Sequence, residues 1–332
     1  AGKWRSGWNA VFGYADGSNR QSRNKHVPPY ECADVPDEGY PDGLTANLAV
    51  KKLRALSKGE KPFCLAVGFF KPHLPFTAPR KYWDLYDENA IPLSPVPNIP
   101  EGICRYALHN SGEFNGYLEG DERASLDKSV SEVYARKLRH AYFACISYID
   151  AQVGKIIDEL ERLGEADNTI IVVWGDHGWH LGDQRVWGKH TLMETSLRST
   201  LIMKVPHSSK SIENHRIVSS IDIYPTLMEL CGVSVPDGLD GNSFTKLLAD
   251  PKERSWHEAA YSYFNNGVSV RVPQYRLTRY RDKSKYISEL YDYHVDDMER
   301  KNTFECAEKE FVKKLIDVWE KGVCPEKGEL PE

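Results

Sequence analysis

Continuous apolar runs bounded by Gly, Pro or charged residues predict three buried strands. They cover residues 63–70, 170–174 and 200–205 and are rich in Val, Ile, Leu and Phe. Runs of this kind are typical of strands with both faces covered, as in parallel sheets. We therefore expect these segments to lie in one buried sheet.

Helical spacing of apolar residues separates the predicted strands. The longest pattern begins at Ser131 and ends at Gly164, with an apolar stripe along one face. Shorter patterns cover residues 45–59, where Thr45 stands at the N-cap position, and residues 79–86 and 222–231. Because helices and strands alternate, we predict an α/β fold with a mostly parallel sheet sandwiched by helices.

The pattern changes near Pro251. Four short strand patterns follow one another at residues 259–264, 268–272, 275–281 and 286–290, and a final amphipathic helix carries Phe311, Leu315, Val318 and Trp319. Strands in direct succession favour antiparallel pairing. We predict a larger α/β domain over residues 1–250 and a small C-terminal α+β antiparallel-sheet subdomain over residues 251–332.

A long segment from Ile91 to about Leu126 has no clear periodicity and is rich first in Pro and then in Gly and polar residues. A loop of this length in a compact domain commonly serves as a lid or a substrate wall. A variable insertion is the alternative interpretation, and the sequence leaves both open.

Polar side chains follow two of the predicted strands where each strand ends. His73 lies between two prolines after the first strand, and Asp176 and His177 follow the second, with Lys189 a short way beyond. Ligands of open α/β sheets collect at this edge. An Asp–His pair can ligate a cation, and Lys supplies a point charge for an anion. The alternative is that the Asp-His-Gly segment only turns the chain and that the prolines hold His73 for turn reasons.

Two further pairs lie near these residues. His177 and His180 have a spacing that zinc ligands also show, although two ligands alone are a weak signal. Glu194 and Arg198 are spaced for one helix face, which predicts a structural ion pair.

The motifs together resemble the iduronate-2-sulfatase branch of the type I sulfatases, which belong to the alkaline-phosphatase superfamily. The similar segments are residues 66–76, 176–183 and 187–189, with further landmarks at residues 219–227, 239–244 and 289–293. The resemblance extends roughly over residues 40–302. Several motifs in the same order are more specific than any single one.

The resemblance implies a sulfuric ester hydrolase that removes sulfate from a sulfated sugar of a glycosaminoglycan or another polysaccharide. It implies that Asp176 and His177 hold Ca²⁺, that Lys189 contacts the sulfate group, and that His73 lies beside the ester oxygen and either supplies a proton to that oxygen or stabilises it. Lys71 and His190 are expected to bind substrate beside them. A phosphate or phosphonate ester hydrolase of the same superfamily is the alternative activity.

The nucleophile of this family is a formylglycine made from the Cys or Ser of a Cys/Ser-x-Pro-x-Arg motif. That motif does not occur in the chain, and the segment at residues 77–81 has Thr and Lys where the motif needs Cys or Ser and Arg. We therefore expect the chain to represent the later portion of such an enzyme. A catalytically silent fragment or binding module is a further alternative. Because the chain supplies only part of the expected calcium ligands, its calcium binding should be weak.

The charge composition restricts the kinds of ligand that the chain is expected to bind. The formal net charge of −5 argues against general binding of polyanions such as nucleic acid. A sulfated polysaccharide would have to meet local cations, either at Lys71, Arg80 and Lys81 or at Arg271, Arg276, Arg279 and Arg281. For the four arginines a solvated strand face is the preferred interpretation.

No apolar stretch approaches the roughly 20 residues of a spanning helix, so we predict no membrane span. No secretory signal is visible, and a periplasmic, extracellular or lysosomal location is implied by the resemblance alone. Of seven cysteines, a bridge is conceivable among Cys32, Cys104, Cys306 and Cys324. The sequence leaves the oligomeric state open.

Overall fold

The computed structural model describes residues 13–15, 27–117, 119–208 and 211–323. The strands are β1 Tyr30–Ala33, β2 Phe76–Pro79, β3 Ile171–Trp174, β4 His180–Leu181, β5 Trp187–Gly188, β6 Leu201–Lys204, β7 Ala260–Phe264, β8 Gly267–Val272, β9 Tyr275–Asp282 and β10 Lys285–Asp292. The α-helices are α1 Pro41–Leu56, α2 Arg80–Trp83, α3 Glu132–Arg162, α4 Glu194–Leu197, α5 Ile223–Leu230, α6 Thr245–Ala249 and α7 Lys309–Val323.

The helix α3 is the central support of the larger region. The predicted start of this helix at Ser131 is confirmed: Ser131 is its N-cap, and its side chain accepts a hydrogen bond from the backbone N–H of Tyr134 at 3.2 Å. Its fully buried residues Leu138, Ala141, Cys145 and Tyr148 pack against the parallel pair β1–β2 and against α1. Helix and sheet therefore bury one shared apolar core.

The helix α1 begins earlier than the sequence pattern predicted. Pro41 occupies its first turn and Tyr40 is the N-cap residue, so the prediction that Thr45 caps the helix is wrong. Proline is well suited to the first turn because its fixed φ matches the helix and its missing N–H would be unpaired there. The Thr45 hydroxyl instead donates to the Pro41 carbonyl at 3.2 Å.

Residues 63–70 form no strand and pair with no other described strand, so the strand predicted here is wrong. Phe63 and Leu65 pack against the cluster around Leu53 and Leu160, whereas Cys64 and Phe70 are exposed. In the antiparallel pair β3–β6, Trp174 and Ile202 are exposed and the other apolar residues are partly buried. The apolar runs predicted burial on both faces, but the described residues leave part of each run exposed.

The C-terminal subdomain is an antiparallel meander in the order β10-β9-β8-β7, as predicted from the succession of strand patterns. Val270 and Leu277 on one sheet face pack against Leu315 and Trp319 of α7, and the indole N–H of Trp319 donates to the Val268 carbonyl at 2.9 Å. The boundary at residue 251 between the predicted domains stays a prediction.

None of the helices in the described part of the chain combines the length and the apolar character needed to cross a bilayer. Cys32, Cys104 and Cys306, which the sequence offered as bridge partners, are free thiols. Cys324 lies outside the described residues.

Candidate active site

The turn that carries His73 is fixed from beneath by a buried carboxylate. Asp42, in the first turn of α1, accepts hydrogen bonds from the backbone N–H groups of Phe70 at 3.0 Å and Lys71 at 2.9 Å. Both X-Pro bonds that flank His73, at Pro72 and Pro75, are cis. No local pattern indicated Asp42, because its partners lie nearly thirty positions away along the chain.

Lys71 stabilises the turn from within. Its ammonium donates to the carbonyls of His73 at 2.8 Å and Pro75 at 2.6 Å, and the residue is only 6% exposed. Burial lowers the pKa of the Lys71 side chain. These contacts do not support the expected contact between Lys71 and substrate, since its donors are directed at the backbone of the turn.

His73 presents one ring nitrogen to its surroundings. Its Nδ1 lies 2.6 Å from the Leu74 carbonyl, and because a carbonyl oxygen only accepts, Nδ1 carries the proton. Its Nε2 lies 3.1 Å from a carboxylate oxygen of Glu113 and 3.4 Å from the ammonium of Lys189. Nδ1 is thus occupied, and Nε2 is the atom available for chemistry.

Lys189 follows β5 directly and meets His73, so the structure brings these two predicted residues together. Its ammonium lies 3.1 Å from one oxygen of Glu113 and 5.2 Å from the ring centroid of Trp179. The side chain of Lys189 is 16% exposed. Packing on the indole face stabilises the cation and limits its freedom.

Glu113 is a site residue that the sequence analysis missed. It comes from the long loop after Ile91, which therefore contributes a wall to the site. The hydrogen bond with His73, the largest cause, and the one with Lys189 lower the pKa of the Glu113 carboxyl to about 2. The carboxylate is therefore charged at neutral pH and lies between His73 and Lys189.

Asp176 and His177 form a second pair at the end of β3. The backbone N–H of His177 donates to the Asp176 carboxylate at 3.0 Å, and His177 Nε2 lies 3.4 Å from its other oxygen. The Asp176 side chain is 78% exposed. Gly178 permits the close approach of α4, because a Cβ there would lie 2.1 Å from the Thr195 carbonyl oxygen. No side-chain contact of the described residues joins this pair to His73 or Lys189.

The donor atoms of this pair fit two ligands of a divalent cation. His177 Nδ1 is 2.7 Å from the Gly178 carbonyl and so carries the proton, which leaves the Nε2 lone pair free for a metal. The Asp176 carboxylate is paired with no Lys or Arg of the described residues. Among those same residues there is no group of three or more potential ligands. The residues present therefore fit part of a cation site.

His180 is a structural residue, which contradicts the zinc-pair alternative. It is completely buried, with Nδ1 at 3.0 Å from the Gln184 amide oxygen and Nε2 at 2.9 Å from the Thr191 hydroxyl. Burial lowers the pKa of His180 to about 4. Both ring nitrogens are occupied, so neither is available to a metal.

His190 lies on the surface at the junction with the C-terminal subdomain. Its ring stacks on Phe264, with centroids 5.5 Å apart, and lies 6.1 Å from the ring of His109. Desolvation, the largest cause, and the charge of Lys189 lower the pKa of His190. His190 directly follows Lys189 in the sequence. A contact between His190 and substrate stays a prediction.

Glu194, at the start of α4, pairs with the C-terminal sheet. Its carboxylate contacts Arg276 closely and lies 3.3 Å from Arg271, while no ion pair with Arg198 forms. The predicted Glu194–Arg198 pair is therefore wrong. The preferred interpretation of the arginines as a solvated face is wrong for Arg276, which is 2% exposed.

The protein has the alkaline-phosphatase-like fold, as its superposition on solved structures shows. A family model described as "Sulfatase" matches residues 1–233, and one described as "N-sulphoglucosamine sulphohydrolase, C-terminal" matches residues 175–321. The chain belongs to the sulfatase family, as predicted, and iduronate 2-sulfatases are among the relatives that support the predicted branch.

Iduronate 2-sulfatase of Homo sapiens is 30% identical over 241 residues, which are 63% of this chain and 43% of that protein. A protein solved in complex with its substrate D-glucosamine-2-N,6-O-disulfate superposes with a TM-score of 0.71 at 22% identity, covering 85% of this chain and 69% of the other. The phosphonate monoester hydrolase of Agrobacterium radiobacter gives a TM-score of 0.70 at 22% identity, covering 90% and 66%. The chain spans less than half the length of the iduronate 2-sulfatase that it matches.

Proposed function

We propose that the protein acts in the hydrolysis of a sulfate ester on a sugar. The observation that carries this proposal is the pair of His73 Nε2 and the Lys189 ammonium, 3.4 Å apart, at the edge of the α/β region of a sulfatase-family chain. Two adjacent cationic donors suit an anionic group whose charge grows as its ester bond breaks. The relatives supply the chemical class of substrate, a sulfated saccharide.

His73 is the proposed proton donor to the leaving sugar oxygen. Its Nδ1–H is fixed on the Leu74 carbonyl, so a proton on Nε2 is the one that can be transferred. A sugar alkoxide is a poor leaving group, and a positioned acid at its oxygen lowers the barrier. Lys189 stabilises negative charge on the sulfate oxygens, and the Trp179 face holds it in place.

Asp176 and His177 are the proposed protein ligands of Ca²⁺, and the family's formylglycine is the proposed nucleophile. When bound, the cation supplies charge neutralisation for the sulfate oxygens and the nucleophile. Because Ca²⁺ takes six to eight oxygen ligands, these two residues supply a minority of its shell.

The sugar is proposed to lie toward the junction of the two regions, where His190 and Phe264 form a stacked ring pair. Aromatic and imidazole faces pack well against the apolar faces of sugar rings. A periplasmic, extracellular or lysosomal compartment is proposed from the family resemblance.

The test is turnover by the product of the complete open reading frame, with Ca²⁺ present. An aryl sulfate and an aryl phosphate are compared in the wild type and in His73→Ala and Lys189→Ala. We expect faster sulfate turnover and losses of at least about a hundredfold in kcat for either variant. His294→Ala, at an exposed imidazole of the C-terminal subdomain, is the matched control and should keep full activity. Equal activity in all variants would refute the assignment.

A second candidate function is hydrolysis of phosphate or phosphonate esters. It is favoured by the similarity of the fold to phosphonate monoester hydrolases, one of which covers 90% of this chain. Faster turnover of the aryl phosphate in the same assay would select it. Absence of both activities in the complete protein, with Ca²⁺ binding retained, would select a binding module.

A further inference from the structure

Glu113 lies where an anionic ligand of His73 and Lys189 would lie. One of its oxygens is 3.1 Å from His73 Nε2, and the other is 3.1 Å from the Lys189 ammonium. A carboxylate has the same charge as a sulfate monoester and offers two oxygens with comparable spacing. The two cations of the proposed site are thus already neutralised by a side chain of the protein itself.

When His73 carries a proton on Nε2, it can donate that proton to only one acceptor. The proton on Nδ1 is held by the Leu74 carbonyl at 2.6 Å, so an imidazolium at His73 has one N–H left. That N–H faces the Glu113 carboxylate, and it cannot donate to Glu113 and to an ester oxygen at the same time. Protonation of a leaving group by His73 requires the carboxylate to move away.

The backbone on both sides of Glu113 is anchored, while part of its side chain is exposed. On one side the Ser111 hydroxyl accepts the backbone N–H of Trp187 at 2.9 Å, and on the other Phe114 stacks on the Trp187 ring with centroids 5.6 Å apart. Both anchors tie the loop to β5, the strand that precedes Lys189. The Glu113 side chain is 33% exposed, so rotation about its own bonds has access to solvent.

We propose that Glu113 is a displaceable carboxylate that occupies the anion position between His73 and Lys189 and is replaced by the sulfate group of the substrate. The inference rests on the proposed function for the identity of the anion. The carboxylate keeps the two cations in place when no ligand is bound, and it lowers the affinity for small anions. A substrate displaces it by adding contacts of its sugar to those of its sulfate.

The test is a titration of the 332-residue chain with inorganic sulfate, followed by NMR through the histidine ring resonances. Glu113→Gln removes the charge and keeps the shape, and Asp127→Asn, at an exposed acid of the same loop, is the matched control. We expect sulfate to bind about 5- to 10-fold more tightly to E113Q than to the wild type, because two partly exposed ion pairs no longer compete. D127N should bind like the wild type, and the double variant E113Q/H73A should lose the gain.

Unchanged or weaker sulfate binding by E113Q would overturn the proposal, since it would make Glu113 a permanent positioning residue. A parallel titration with inorganic phosphate separates the two inferences. A gain for phosphate without any binding of sulfate would support displacement and refute the sulfatase assignment. If E113Q does not fold, a crystal structure of the wild type with sulfate decides: Glu113 withdrawn from His73 supports the proposal, and Glu113 still in contact with both cations, beside bound sulfate, overturns it.

Discussion

The buried ion pair between Arg276 and Glu299 connects the C-terminal sheet to the segment that follows Lys189. Arg276 Nε lies 3.0 Å from Glu299 and 2.9 Å from the Tyr293 hydroxyl, and its Nη1 donates to Ser269 at 3.1 Å. The second oxygen of Glu299 accepts the backbone N–H of Glu194 at 2.8 Å, at the start of α4. The two charged side chains are 2% and 1% exposed.

We predict that Arg276→Met destabilises the protein by about 3–5 kcal/mol, because it leaves the Glu299 carboxylate buried without its partner. At roughly 2–4 °C per kcal/mol, the melting temperature should fall by on the order of 10 °C. Burial already raises the pKa of Glu299. Loss of Arg276 raises it further, so the destabilisation should shrink as the pH falls and Glu299 takes up a proton.

The measurement is denaturant unfolding of the wild type, Arg276→Met and the double variant with Glu299→Gln, at neutral and mildly acid pH. The double variant should regain part of the lost stability, because no unpaired buried charge remains. Arg281→Met, at an exposed position of the same strand, is the control and should change stability by less than about 0.5 kcal/mol. A cost below about 1 kcal/mol for Arg276→Met, or a double variant less stable than it, would refute the reasoning.

Four further predictions test the local structure and the site. Ser131→Ala should cost about 1 kcal/mol in urea unfolding by removing the N-cap of α3, whereas an unchanged midpoint would show that water replaces the cap. Gly178→Ala should destabilise the protein by at least about 1 kcal/mol and weaken sulfate binding, because the added Cβ would meet the Thr195 carbonyl oxygen. Unchanged stability of this variant would contradict the close packing. Calorimetric titration of the chain with Ca²⁺ should give binding weaker than about 1 mM, since two protein ligands are far from a full shell; tight binding contradicts this. Finally, His73 and Lys189 lower the pKa of the Glu113 carboxyl from 4.5 to about 2, so its contribution to folding stability is present above about pH 4.5 and lost as the pH falls toward 2. In acid unfolding, E113Q should therefore lose less stability than the wild type over that pH interval. Parallel unfolding curves for the two proteins would argue against this contribution.

Local patterns in the sequence identified a large part of the protein. The helical apolar pattern placed the start of α3 at Ser131, and short strand patterns in direct succession placed the four strands of the C-terminal sheet close to their observed bounds. The ordered motifs around His73 and Lys189 indicated the family, which the family models confirm. These signals are contained in short windows, so they can be read without knowing which segments meet.

Two wrong predictions share a physical cause. The extended run at residues 63–70 was expected to pair as a strand, but a strand needs a hydrogen-bonded neighbour, and hydrophobicity alone does not supply one. The spacing of Glu194 and Arg198 favoured an ion pair along one helix, but α4 ends at Leu197 and Glu194 turns to Arg276 instead. In both cases the local pattern was compatible with several partners.

The sequence by itself determined the family, most of the helices and strands, and the chemical types of the site residues, because periodicity, capping and motif order are short-range properties. The tertiary structure decided which charges meet. Glu113, in an irregular loop, pairs with Lys189, which lies 76 positions further along the chain, and the ammonium of Lys71 is held inside its turn. Such pairings depend on how a loop packs onto a distant strand, and the free energy that selects them comes from burial and ion pairing in the folded chain.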